Sequence, residues 1–96
     1  MDVDIKAVHF DLKDETKELI HAKLEKIQFA ADLIVDINFT LTKQKTHYFA
    51  EVTINFRVGP SAHIKVECFE LNEGIDRLFD KLDHKVIKRK EKVKDH

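Results

Sequence analysis

Between Leu33 and Phe69 the chain alternates apolar and polar residues with a period of two, three times in succession, with only short interruptions. In the first stretch Leu33, Val35, Ile37, Phe39 and Leu41 are expected on one face, and Ile34, Asp36, Asn38, Thr40 and Thr42 on the other. Such alternation is the mark of a strand with one face buried and one in water. The polar segment Lys43 to His47 is short enough to make the next strand return as a hairpin. In that strand Tyr48, Ala50, Val52, Ile54 and Phe56 alternate with Phe49, Glu51, Thr53, Asn55 and Arg57. Gly59 and Pro60 mark a second turn, after which Ala62, Ile64, Val66 and Cys68 alternate with His63, Lys65, Glu67 and Phe69. Three antiparallel strands with a common apolar face need cover on one side only.

The flanking segments supply the cover. Val3, Ile5, Ala7 and His9 alternate with Asp2, Asp4, Lys6 and Val8, a further half-buried strand. Asp11 then offers a helix cap, with Asp14, Glu15 and Glu18 where the positive end of a helix favours acids. Leu12, Thr16, Leu19, Ile20, Leu24 and Ile27 recur at helical spacing, giving a first helix that ends near Phe29. After the last strand, Leu71, Ile75, Leu78, Phe79, Leu82, Val86 and Val93 define the buried face of a long second helix. The order is β-α-β-β-β-α, an α+β fold. The strand-helix-strand opening implies a parallel pair with a right-handed crossover, and both helices pack on one face of a four-stranded sheet. Two helices over a small sheet also describe double-stranded-RNA-binding domains, which read RNA by shape and phosphate spacing.

The second helix carries a second stripe beside the apolar one. Arg77, Lys81, Lys85, Lys88 and Lys92 recur at the same period, and Arg89, Lys90 and Lys94 crowd the last turns. From Lys81 to Lys94 there are seven basic residues against Asp83 and Glu91, a net of +5; with 17 basic and 18 acidic residues in all, the remainder holds 10 against 16, or −6. A near-neutral chain is therefore strongly polarised, and its basic end points to a polyanionic partner. A helix C-terminus attracts cations by its dipole, but only within the last turn, whereas this stripe begins at Arg77. With the helices side by side, the groove between them is expected to be lined by Lys81, Lys85 and Lys88 and by either Lys13 and Lys17 or Lys23 and Lys26.

Ninety-six residues suit one domain, 1–96, with a modest core. No apolar run approaches the ~20 residues that span a bilayer, and the alternating, acidic start MDVDIKAVHF is unlike a signal peptide, so a cytoplasmic protein without a membrane partner is expected. The single Cys68 lies on the apolar strand face, where a core thiol is expected and not a nucleophile. His9, His21, His47, His63, His84 and His96 are dispersed; Asp80 and His84 form an i, i+4 pair better suited to an exposed ion pair than to a metal. Glu51, Glu67 and Glu70 have no phosphate loop or nucleophile elbow beside them and are expected to face solvent. The chain reads as a non-enzyme, with no cofactor, no metal and no small-molecule substrate.

Three segments carry a resemblance that covers Asp2 to Lys92: Lys23-Leu24-Glu25-Lys26-Ile27, Tyr48-Phe49-Ala50-Glu51-Val52-Thr53-Ile54-Asn55, and Ile75-Asp76-Arg77-Leu78-Phe79-Asp80-Lys81-Leu82 leading into basic residues. Together they resemble the short ribosome hibernation-promoting factors, also called ribosome-associated inhibitors. The resemblance implies the same β-α-β-β-β-α fold, binding to the small ribosomal subunit in the channel for messenger and transfer RNA, and arrest of translation in stressed or stationary cells. It also implies that Lys81, Lys85, Lys88, Arg89, Lys90 and Lys92, with Lys23 and Lys26, contact ribosomal RNA phosphates. The chain departs from the family at Glu70-Leu71-Asn72, where an acidic-Met-Tyr step is usual, and at Lys13-Asp14, where a Thr/Ser-Pro helix start is common. Ending at His96 without a linker, second domain or acidic tail, it is expected by this resemblance to promote ribosome dimers with the help of another factor.

Two other classes fit parts of the pattern. A generic duplex-RNA binder needs lysines at the start of the second helix, where Glu67, Glu70 and Glu73 stand instead. A protein-interaction module could use the open sheet face, with Phe49, Thr53, Asn55 and Phe69.

Overall fold

The computed structural model describes residues 1–94, with side chains for residues 1–92. The readings at Val93 and Lys94 as side chains, and at His96, lie outside the described residues.

The elements follow the expected order: β1 (Asp2–Val8), α1 (Asp14–Leu24), a 3-10 segment (Glu25–Leu33), β2 (Ile34–Lys43), β3 (Tyr48–Phe56), β4 (Ala62–Cys68) and α2 (Leu71–Lys94). The sheet order is β1-β2-β3-β4. β1 runs parallel to β2, while β3 and β4 return antiparallel, as a crossover followed by a meander requires. The inward residues of β3 and β4 are those given by the alternation: Ala50, Val52, Ile54, Phe56, Ile64, Val66 and Cys68 are buried. Over them lie Ile75, Leu78, Phe79, Leu82 and Val86 of α2, and Ile20, Leu24 and Ile27 of the first helical stretch. Phe39 and Phe79 join sheet to helix in a stacked pair, centroids 5.5 Å apart.

Three local features differ from the sequence reading. The first is in β2, where the register slips between Ile34 and Asp36. This bulge lets Ile34 and Ile37 both reach the core, turns Val35 out to solvent, and keeps Asp36 on the open face. There the Asp36 carboxylate accepts from Asn38 Nδ2 at 3.0 Å and Asn55 Nδ2 at 2.6 Å. The second is the start of α1: Lys13, not Asp11, is the capping residue, and its side chain makes no capping bond. Backbone closure and the acids Asp14 and Glu15 in the first turn stabilise this end. The third is its exit. The α-helix gives way at Glu25 to a 3-10 segment that runs past Phe29 to Leu33, tightening the chain so that Ile27 and Ala30 stay buried beside α2.

Gly74 lets the start of α2 settle on β4. A Cβ there would collide with the Cys68 Sγ. Cys68 is buried, and that burial pushes its thiol pKa up, so it is a core group and a poor nucleophile.

Candidate nucleic-acid interface

The α2 wheel places two kinds of charge on opposite flanks of its buried stripe. On the flank toward α1, Asp76 faces Lys23 Nζ at 2.6 Å. About two turns along, Asp83 keeps a buried carboxylate oxygen without a hydrogen-bond partner. Burial raises the Asp83 pKa, the nearby Lys26 opposes that rise, Asp80 adds to it and Lys23 again opposes it. Lys23 and Lys26 thus face the carboxylates of α2. The basic groove expected between the helices is in fact a seam of opposite charges, because Lys81, Lys85 and Lys88 project from the other side of the helix.

On that other side, α2 and the edge strand β4 enclose an open cleft of about 570 Å³ lined by His63, Ile64, Lys65, Asp80, Lys81, His84, Lys85 and Lys88. Its ammonium groups come from α2, which repeats a lysine at each turn, while β4 supplies the opposite wall and the Lys65 ammonium lies over the Phe49 ring on the open sheet face. Lys92 continues the stripe and is exposed. Lys81, Lys85 and Lys88 along one open cleft, continued by Lys92, make a concentrated positive field suited to a row of phosphates. Asp80 and His84 line the same cleft and form no ion pair with each other, which corrects the exposed pair expected for them. Among the described residues no group of three or more His, Cys, Asp or Glu is placed to hold a metal ion.

The last turns of α2 are tied to the body. The Arg89 guanidinium donates to the Val58 carbonyl at 2.9 Å and the Pro60 carbonyl at 3.0 Å, and lies 4.1 Å from the centroid of Phe56. It closes over the turn at Gly59, whose φ of +86° only glycine adopts without strain. Lys90 Nζ reaches Asp32 at 3.4 Å. Of the eight residues proposed from sequence, Lys81, Lys85, Lys88 and Lys92 therefore share one exposed stripe. Lys23, Lys26, Arg89 and Lys90 lie elsewhere or are engaged by neighbours. Sequence reasoning missed Lys65 and His63; their outward phase on a strand adjoining the final helix was the available signal.

Comparison with known proteins places this geometry. Residues 3–94 match the family model described as Sigma 54 modulation protein / S30EA ribosomal protein. The ribosome hibernation promoting factor of Escherichia coli K12 is 26% identical over 96 residues, all of both chains. That of Azotobacter vinelandii is 28% identical over 92 residues, 96% of this chain and 85% of its own. Among solved structures, a ribosomal subunit interface protein from Coxiella burnetii has the same fold, with a TM-score of 0.84, 22% identity and 94% and 98% of the two chains covered. The N-terminal domain of Thermus thermophilus Protein Y gives 0.79, at 20% identity over 90% and 96%. A match over nearly the whole length, on a scaffold of the same architecture, makes this chain a member of the Sigma 54 modulation protein / S30EA ribosomal protein family.

Proposed function

We propose that this chain is a ribosome hibernation factor that binds the small ribosomal subunit through rRNA phosphates, fills the channel used by messenger and transfer RNA, and so halts translation in stressed or stationary cells. The observation that carries this reading is the single exposed stripe of Lys81, Lys85, Lys88 and Lys92 along α2, the first three lining one cleft, in a chain whose relatives are named ribosome hibernation promoting factors. The action requires no bond to be made or broken. A domain held in the channel excludes other RNA by volume, and its selectivity comes from matching one folded RNA surface. The proposed setting is the cytoplasm, without cofactor or small-molecule substrate, and ribosome dimerisation would draw on a second factor. No described helix is long and apolar enough to cross a membrane.

Lysine–phosphate contacts release counterions, so four of them predict a loss of affinity of about 10²-fold between 50 and 200 mM salt by the duplex rule. The test is co-sedimentation with purified small subunits on sucrose gradients, with an arbitrary RNA duplex as control. The chain should pellet with subunits and ignore the duplex, and Lys81→Glu, Lys85→Glu and Lys88→Glu together should leave it at the top of the gradient. Equal binding to the duplex, or subunit binding that survives the triple reversal, would overturn the reading.

A further inference from the structure

We propose that His84 is a further phosphate contact of the α2 stripe, made only through its protonated imidazole, so that affinity for the bound RNA rises as the pH falls. This rests on the rRNA-binding reading above and adds to it a residue and a pH dependence. On α2, His84 stands three residues after Lys81 and four before Lys88, the spacings at which helical side chains are neighbours. It lines the same cleft as Lys81, Lys85 and Lys88, and it is exposed. Among the described residues it makes no side-chain hydrogen bond and no ion pair. An imidazole is the side chain whose charge ordinarily changes between about pH 5 and 8. An unengaged one therefore sits where a further positive charge joins a row of three.

The surrounding groups set the sign. On α2, Lys81, Lys85 and Lys88 stand against Asp80 alone, so three positive charges meet one negative and the cleft is cationic even with His84 neutral. Across the cleft β4 brings His63 and Lys65, but both engage the open sheet face. The Lys65 ammonium lies over the Phe49 ring, and His63 shares a hydrogen bond with Thr53 Oγ1 at 2.9 Å and lies 3.4 Å from Glu51 of β3. Both ring nitrogens of His63 thus have partners, whereas those of His84 are left for a ligand. The flank of α2 toward α1 and the 3-10 segment, with Lys23, Lys26, Asp76 and Asp83, is on the other side of the buried stripe. A phosphate row in the cleft stabilises the imidazolium. The bound state then takes up a proton, and by the reciprocity of linked equilibria a falling pH strengthens binding.

The test titrates the full chain, His84→Gln and His84→Arg into purified small subunits at pH 8 and at pH 5.5, at constant ionic strength. Using the same subunits for all three chains cancels any titration of the subunits themselves. The wild-type chain should match His84→Gln at pH 8 and bind about 2- to 5-fold tighter than it at pH 5.5, the worth of one exposed ion pair. At pH 5.5 its slope of log affinity against log salt should also be steeper than that of His84→Gln by about 0.9. His84→Arg, charged throughout, should exceed the wild type at pH 8 and equal it at pH 5.5. Equal pH responses of the wild type and His84→Gln, or His84→Arg no tighter than the wild type at pH 8, would overturn the contact while leaving the lysine reading intact. Absence of binding by the wild-type chain at both pH values would remove both.

Discussion

Lys23 Nζ lies 2.6 Å from the Asp76 carboxylate, so a lysine of the first helix is neutralised by the second before any partner arrives. The lysine is 20% exposed and the aspartate 58%, a pairing of the kind worth up to about 1 kcal/mol. Lys23→Ala should cost about that much or less in urea denaturation. It should leave the salt slope of small-subunit binding unchanged, whereas Lys85→Ala should reduce that slope by about 0.9. A slope change for Lys23→Ala equal to that for Lys85→Ala would show that the pair opens on binding.

Arg89 is expected to act on stability more than on RNA. Arg89→Ala removes two carbonyl contacts and the packing on Phe56, and should cost about 1–3 kcal/mol. Arg89→Lys keeps the charge but loses the planar fork, so it should recover only part of that loss. Full recovery of the urea midpoint by lysine would contradict the geometry.

Asp83 has the opposite sign to a salt-bridged acid. Burial raises its pKa from the ordinary 3.8, so the folded chain holds this proton more tightly than the unfolded chain does. Its contribution is therefore most favourable at low pH, diminishes as pH rises above 3.8 toward the folded value, and stays unfavourable above it. Asp83→Asn should raise the urea midpoint at pH 7 and narrow the stability difference between pH 7 and the start of that window. A lower midpoint at pH 7 would mean that attraction to Lys26 and Lys23 outweighs desolvation.

Gly74→Ala should destabilise the chain by about 1–3 kcal/mol, as overpacking does, because the new methyl meets the Cys68 Sγ. Removing the sulfur first should relieve much of the clash. In the Cys68→Ala background the cost of Gly74→Ala should shrink, and equal costs in both backgrounds would locate the strain elsewhere.

Much of the scaffold could be read without coordinates, because every strand and helix declares its buried face by its period. Tyr48 to Phe56 is the clearest case, with each inward residue where alternation puts it. The slip at Ile34–Asp36 could not be read, since Ile34, Val35 and Ile37 are all apolar and only the pairing with β3 decides which of them turn inward. The lysine stripe was legible for the same periodic reason. Which lysines remain available was not, because the groups that occupy the others are remote in the chain: Asp76 for Lys23, Asp32 for Lys90, and the Val58 and Pro60 carbonyls for Arg89. The place of Lys65 in the cleft wall, with its ammonium over Phe49, could not be read because it depends on the pairing of β4 with β3 and the packing of α2 on β4.

The two outer strands of the sheet hold a further consequence. β1 sets Asp2, Asp4 and Lys6 along one margin, and β4 sets His63, Lys65 and Glu67 along the other, all exposed. Charged side chains on a margin discourage a second molecule from adding its own strand there. A protein with one uncovered sheet face and two open margins is in this way built to resist self-assembly into aggregates, and to remain dispersed even when crowded.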